Sequence, residues 1–240
     1  MKNNNNMFEL KERDGLARIG IIKTRHGNIS TPALLPVINP HFMIISPKKM
    51  LRMGAQGIIT NSYIIYKDEE LREKALKNGI HSLLSFNKPI MTDSGSFQLY
   101  VYGKIDMDPI EIIKFQNEIK SDIGTILDIF SKKQDYERAK KEINETIKRA
   151  RNSMKYKGDM LIAATIQGGI FEDLRRECAR RLAKIDADIY PIGGVVPLME
   201  NQKYMELAKI IVASKRELPP SKPVHLFGAG HPIIFPIALF

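Results

Sequence analysis

A chain of 240 residues that is 43% hydrophobic and 27% charged has the make-up of one ordinary globular domain, near the size of a single (β/α)8 barrel. Its purely apolar stretches fall far short of the roughly 20 residues that cross a bilayer, and a lone cysteine, Cys178, excludes an internal disulfide or a cysteine-rich zinc site built from this chain. The net charge of +10 suits a polyanionic partner, nucleic acid first, although a lysine-rich proteome would leave the same mark.

Residues 1–6 place an asparagine run where an apolar signal segment would be needed, so they read as a frayed leader and the protein as cytoplasmic. Residues 7–240 read as one domain, with no repeat and no long linker. From Met7 to Asn28 polar and apolar residues alternate around Gly15, Gly20 and Gly27, which suggests a β-hairpin layer capping the front. Thr31–Ile38 is the first buried-strand candidate, and Ser46–Met53 a short helix behind a serine cap. Gly57–Tyr63 is the second strand, and Asp68–Asn78 a helix closed by Gly79. The third strand, Pro89–Met91, breaks off at Asp93 into Ser94, Gly95 and Ser96. That break can be simple turn chemistry, or it can present a carboxylate at a strand end, where barrels keep their catalytic groups.

Asp108-Pro109 opens the next helix with a cap and a proline at its first position, and Ile112, Ile113, Phe115 and Ile119 form its apolar face. Ile123–Phe130 is the fourth strand and carries Asp128, an expensive residue for a core unless hydrogen-bonded or used. Tyr136, Ala139, Ile143, Ile147, Ala150 and Met154 step by helical spacing. The opposite faces hold Lys132, Lys133, Arg138, Lys140, Lys141, Lys148, Arg149, Arg151, Lys155 and Lys157, either a phosphate contact or a solvated face interleaved with acids. Met160–Gln167 is the fifth strand, running into Gly168-Gly169, with a helix over Phe171–Lys184 that makes Cys178 a packing residue. Ala187–Val196 is the sixth strand, with Gly193-Gly194 near its end. Asn201–Ser214 is helical, Pro223–Gly230 is the seventh strand, and 231–240 looks like an unfinished helix. Alternating strands and helices predict an α/β fold of the TIM-barrel type. An eighth strand-helix unit is missing from the count, and a barrel short of one stave exposes two edges.

The polar strand ends suit a flat heterocycle such as guanine. Asp128 can accept from N1–H and the exocyclic amine, Gln167 and a glycine amide can bond O6, and Phe97 can stack on the ring. Asp93 is then free for acid-base or nucleophilic work at the sugar carbon.

MTDSGSFQ, GTILDIF, IQGGIFEDLR, YPIGGVVPLME and HLFGAGHP, in that order, resemble the motifs of the tRNA-guanine transglycosylases, and of the archaeal type acting in archaeosine synthesis. The resemblance runs from about Met7 to the end of the chain. It implies a (β/α)8 barrel that removes guanine from position 15 in the D-arm of tRNA and inserts 7-cyano-7-deazaguanine. By motif, Asp93 matches the catalytic aspartate, described as nucleophile or as general acid/base. Asp128 matches the base-recognition aspartate, Gln167 the glutamine that reads the base edge, and Gly193 and Gly194 the backbone pair at the base. Ser94, Phe97 and Phe227 match residues lining or stacking the pocket, though both aromatics can equally be core residues. The family also has an eighth strand, a second catalytic aspartate and a zinc site of three cysteines and one histidine. None of these is in this chain, so no metal ligand is assigned.

The leading expectation is therefore one half of a split transglycosylase, completed by a second polypeptide, with tRNA and a 7-deazaguanine base as ligands and homodimers as the family's usual state. A non-catalytic tRNA-binding accessory subunit is the alternative. A barrel enzyme acting on a phosphorylated metabolite through GAGHP, or a truncated gene, comes third.

Overall fold

The computed structural model describes residues 7–98, 107–130 and 135–239. The leader, the segment after Gln98 that carries VYG, Lys132, Lys133 and Phe240 lie outside them. Among the described residues, no helix is long and apolar enough to cross a membrane.

An antiparallel sheet comes first, with order β1-β2-β3: β1 (Phe8–Asp14), β2 (Ala17–Thr24) and β3 (Gly27–Thr31). Among the described residues, seven parallel strands follow, each succeeded by helix. Five of them, β4 (Val37–Ile38), β5 (Ile58–Asn61), β6 (Ile90–Asp93), β7 (Ile123–Thr125) and β8 (Leu161–Ala163), form one sheet in chain order. The next two, β9 (Tyr190–Ile192) and β10 (Val224–Leu226), form a parallel pair that joins β8 through single bridges, Ala163 to Ile189 and Ile166 to Ile192. This is a mixed α/β fold with a parallel five-stranded sheet, consistent with a TIM-barrel-like arrangement. Among the described residues, β10 and β4 are not paired with each other.

Side-chain alternation along each strand separates two cores. One face of the strands, with Ile58, Ile90 and Ile162, packs on the helices. The other, with Ile59, Met91, Ile123, Ala163 and Ile189, packs on Phe8, Ile22 and Ile29 of the antiparallel sheet. The central strands β5 to β9 are thus largely buried on both sides, the condition of a parallel sheet wrapped by helices. Two residues further along the inner column from Ile59 and Met91 come Asn61 and Asp93, which are register partners. The same pattern that buries the apolar layer therefore turns a carboxylate and an amide inward at the C-terminal strand ends.

The opposite ends are tied down by Asp122. Its Oδ1 accepts from the His26 amide at 3.0 Å and faces His26 Nδ1 at 2.9 Å, while its Oδ2 accepts from the Ile90 amide and faces His81 Nε2, both at 2.9 Å. The imidazoles stack at 3.6 Å. Burial alone would raise the Asp122 pKa, but hydrogen bonds from His81, the Ile90 amide and His26 outweigh it and hold the carboxyl at about 2. Two histidines and a carboxylate at this spacing can also ligate a metal. Here four nitrogens already meet the two oxygens, and the group acts as a clamp between the β2–β3 turn, the helix Ile80–Leu83 and the start of β7.

Several expected elements are shorter than their sequence suggests. Thr31–Ile38 is not a strand throughout: Thr31 ends β3, and only Val37–Ile38 pairs as β4. Pro32 and Pro36 lack the N–H donors that a continuous strand would use. The helix expected to begin its buried face at Tyr136 spans Tyr136–Ser153, with Ala139, Ile143, Ile147 and Ala150 buried but Tyr136 exposed. On its polar face Arg138 pairs with Glu142 and Arg149 with Glu145, as a solvated face would. Residues 234–239 are helical, as expected.

Candidate active site

Asp93 ends β6 and is half-buried. Asn61, at the end of the neighbouring strand, donates Nδ2 to Asp93 Oδ2 at 3.1 Å and to Gln98 Oε1 at 2.9 Å, while its own Oδ1 caps the next helix at the Ile64 amide. Burial first, and the charge of Asp128 second, push the Asp93 carboxyl up to about 6. A carboxyl poised there is suited to proton transfer near neutral pH. Gly95 follows with φ +92°, and a Cβ there would lie 2.5 Å from Cβ of Tyr63, so this turn requires glycine.

Asp128 lies three residues beyond the end of β7, in irregular chain, and not on a strand as the sequence suggested. It is only 4% exposed. Ser96 donates Oγ to its Oδ1 at 2.7 Å, and Gln167 donates Nε2 to its Oδ2. Ser94 supports this arrangement from below: its Oγ reaches Ser96 Oγ at 3.1 Å and donates to the Ile126 carbonyl at 2.8 Å. Burial raises the Asp128 pKa, and the bonds from Ser96 and Gln167 pull against it. Asp128 is thus both hydrogen-bonded and energetically expensive.

Gln167 likewise lies beyond β8, and its backbone N–H donates to the Cys178 sulfur at 3.4 Å. Cys178 packs in the helix Glu172–Ala183, where burial pushes its thiol up to about 12, so it stays neutral. Gly193 and Gly194 lie against Gln167. A Cβ on Gly193 would fall 2.4 Å from Gln167 Nε2, and one on Gly194 2.9 Å from Gln167 Oε1. The glycine pair is therefore where the backbone approaches the polar group, and a side chain would displace the amide. The turns of the parallel strands thus gather Ser94, Asp128, Gln167, Gly193 and Gly194 into one network, coupled electrostatically to Asp93.

Phe97 is 46% exposed on the segment after Asp93. Phe227 packs on the inner apolar cluster and meets His225 edge-on at 4.7 Å. Asn61, Ser96 and Arg175 also belong to the site and were not singled out in the sequence. Ser96 carried a signal from its place in the Asp93 turn and Asn61 from the polar end of the second strand, while Arg175 closes the IQGGIFEDLR motif without standing out within it. The zinc site that the resemblance implies needs three cysteines and these 240 residues hold one, so the donors do not fit and no step is routed through zinc.

The tRNA-guanine(15) transglycosylase of Methanothermobacter thermautotrophicus is 52% identical over 234 residues, covering 97% of this chain and 35% of its own length. That of Methanosphaera stadtmanae is 52% identical over 235 residues, 96% of this chain and 34% of its own length. That of Methanopyrus kandleri is 45% identical over 233 residues, with 97% and 51% covered. The chain thus spans between a third and a half of the length of these relatives. A family model, queuine tRNA-ribosyltransferase, matches residues 13–239, and the chain belongs to that family.

Proposed function

We propose that this chain carries the base pocket and one catalytic carboxylate of a tRNA-guanine exchange enzyme, exchanging guanine 15 for 7-cyano-7-deazaguanine. The observation that carries this reading is the buried Ser96–Asp128–Gln167 network with its glycine pair. The Asp128 carboxylate can accept from guanine N1–H and N2–H, the Gln167 amide N–H beside it can donate to O6, and Gly193 and Gly194 bring backbone against that amide with no side chain between. The target base must leave its stack to enter such a pocket.

In the exchange, a nucleophile bonds C1′ while the C1′–N9 bond breaks with its electron pair to guanine, and guanine N9 takes up a proton. The incoming base then loses its N9 proton and bonds C1′ as the nucleophile departs. Asp93, held near pKa 6, is the group we assign to give and take those protons. The second aspartate and the strand that pairs between β4 and β10 come, in this reading, from the part of the relatives' length that this chain does not span, joined to it or on a second polypeptide. The 74% exposure of Val37 on β4 fits an edge that another strand covers.

The test is exchange of radiolabelled guanine into D-arm-bearing tRNA, by this chain alone and together with the remaining part of the enzyme. Exchange by the combination that is lost in Asp93→Asn and Asp128→Asn supports the reading. Exchange that survives both substitutions overturns it.

A further inference from the structure

We propose that Arg175 is a specificity-determining positioning residue: it fixes which way round the Gln167 amide faces, so that the pocket reads a 6-oxo and not a 6-amino purine. This rests on the base-pocket reading above.

Arg175 sits in the helix Glu172–Ala183 in a sequence, DLRREC, that looks like an ordinary charged helix face. It is nevertheless 0% exposed. Two of its nitrogens bond main-chain oxygens and no carboxylate: Nε donates to Gly169 O at 2.9 Å, and Nη1 to Ile166 O at 2.8 Å. Those carbonyls bracket the Gln167-Gly168-Gly169 turn, so the planar fork grips both sides of the residue that reads the base. The turn also lies close against the helix. A Cβ on Gly168, where φ is +145°, would come 2.9 Å from the Arg175 backbone nitrogen.

Among the described residues the third nitrogen, Nη2, is buried without a hydrogen-bond partner, and so is Gln167 Oε1. Both lie on the same flank of Gly194, whose ideal Cβ would be 3.8 Å from Nη2 and 2.9 Å from Oε1. The amide is therefore oriented between opposite charges, its NH2 on the Asp128 carboxylate and its oxygen on the side of the guanidinium. Burial lowers the Arg175 pKa to about 10, which leaves it cationic at neutral pH. The flipped amide would set oxygen against carboxylate and NH2 against guanidinium, both unfavourable in a water-poor site. When a base enters and takes up the acceptors of Asp128, that bond to Gln167 competes with the ligand, and the cation remains to hold the orientation. An NH2 facing the pocket donates to a 6-carbonyl but meets a 6-amine donor to donor, the kind of mismatch that buried sites reject strongly.

The experiment compares the parent chain with Arg175→Met, which removes the charge, and Arg175→Lys, which keeps it but not the fork. Calorimetric Kd values are measured for guanine and for 2,6-diaminopurine. The parent should prefer guanine by about 100-fold or more. Arg175→Met should erode that preference by at least about 10-fold, and Arg175→Lys should retain most of it. Equal weakening of both bases in Arg175→Met would mean a merely structural role and overturn the proposal. If Arg175→Met does not fold, Arg175→Gln serves as the neutral variant. In parallel, base-free NMR follows hydrogen exchange of the Gln167 side-chain NH2. Exchange should quicken about 10-fold in the neutral variant while the Ile166 amide is unchanged, and an unchanged Gln167 rate would also overturn it. Should the parent bind neither base, the base-pocket reading falls, and the exchange rates still decide whether Arg175 holds the amide.

Discussion

The Asp93→Asn substitution should stabilise the folded chain at neutral pH while abolishing the proposed base exchange. In the folded state burial and the nearby Asp128 hold the Asp93 pKa at about 6 against an ordinary 3.8. In the unfolded chain the group ionises near its ordinary value. Between roughly pH 4 and 6 the folded state therefore keeps a proton that the unfolded state has released, and stability falls as pH rises across that window. A shift of about 2 units corresponds to about 3 kcal/mol. Asp93 is only half-buried, so relaxation and solvent should reduce the measured gain to about 2 kcal/mol. Asparagine keeps an acceptor for the Asn61 Nδ2 and carries no charge. Urea denaturation of parent and Asp93→Asn at half-unit steps from pH 4 to 7.5 should give a difference near zero at the acid end, growing to that value by pH 7. In an Asp128→Asn background the gain should shrink, because the second cause of the shift is gone. A difference that stays flat across the range would refute the reasoning, since no raised carboxyl would then be present.

Other outcomes follow from the same geometry. Asp122→Asn should cost about 2 kcal/mol at pH 7, from a carboxyl held at about 2, with the difference fading as pH falls from about 4 through 2 in thermal melts. Gly193→Ala should weaken guanine binding at least about 10-fold with little change in the far-ultraviolet spectrum, because its Cβ would fall 2.4 Å from Gln167 Nε2. Ser96→Ala removes the 2.7 Å bond to Asp128, and should cost about 1–3 kcal/mol at neutral pH and less in acid, where Asp128 is protonated.

The strands were legible in the sequence because each is a short apolar run that ends at a polar or glycine-containing step. Their lengths were not. Asp128 and Gln167 lie past the hydrogen-bonded part of β7 and β8, since the chain leaves the ladder to turn over the site, and the apolar run continues for reasons of burial and not of pairing. The short helices Ser62–Lys67, Ile80–Leu83 and Val196–Glu200 are too brief for periodicity to reveal. The Asp122 clamp joins residues 96 positions apart in the chain, so no local pattern announces it. Arg175 was hidden for a related reason: its burial depends on the close approach of Gly168 to the helix, and a pattern of charges along a helix says only that the residue is charged. Asp93, Asp128 and Gln167, by contrast, were visible because each breaks an apolar run near a strand end, whereas Phe97 and Phe227 break none.

The most direct test of the account is titration of guanine into this chain and into Asp128→Asn by calorimetry. The account predicts saturable one-to-one binding by the parent, and at least about 100-fold weaker binding once the carboxylate facing N1–H and N2–H is gone. Guanine binding of equal strength in both would mean that the buried Ser96–Asp128–Gln167 network is a structural brace and that the base is read elsewhere.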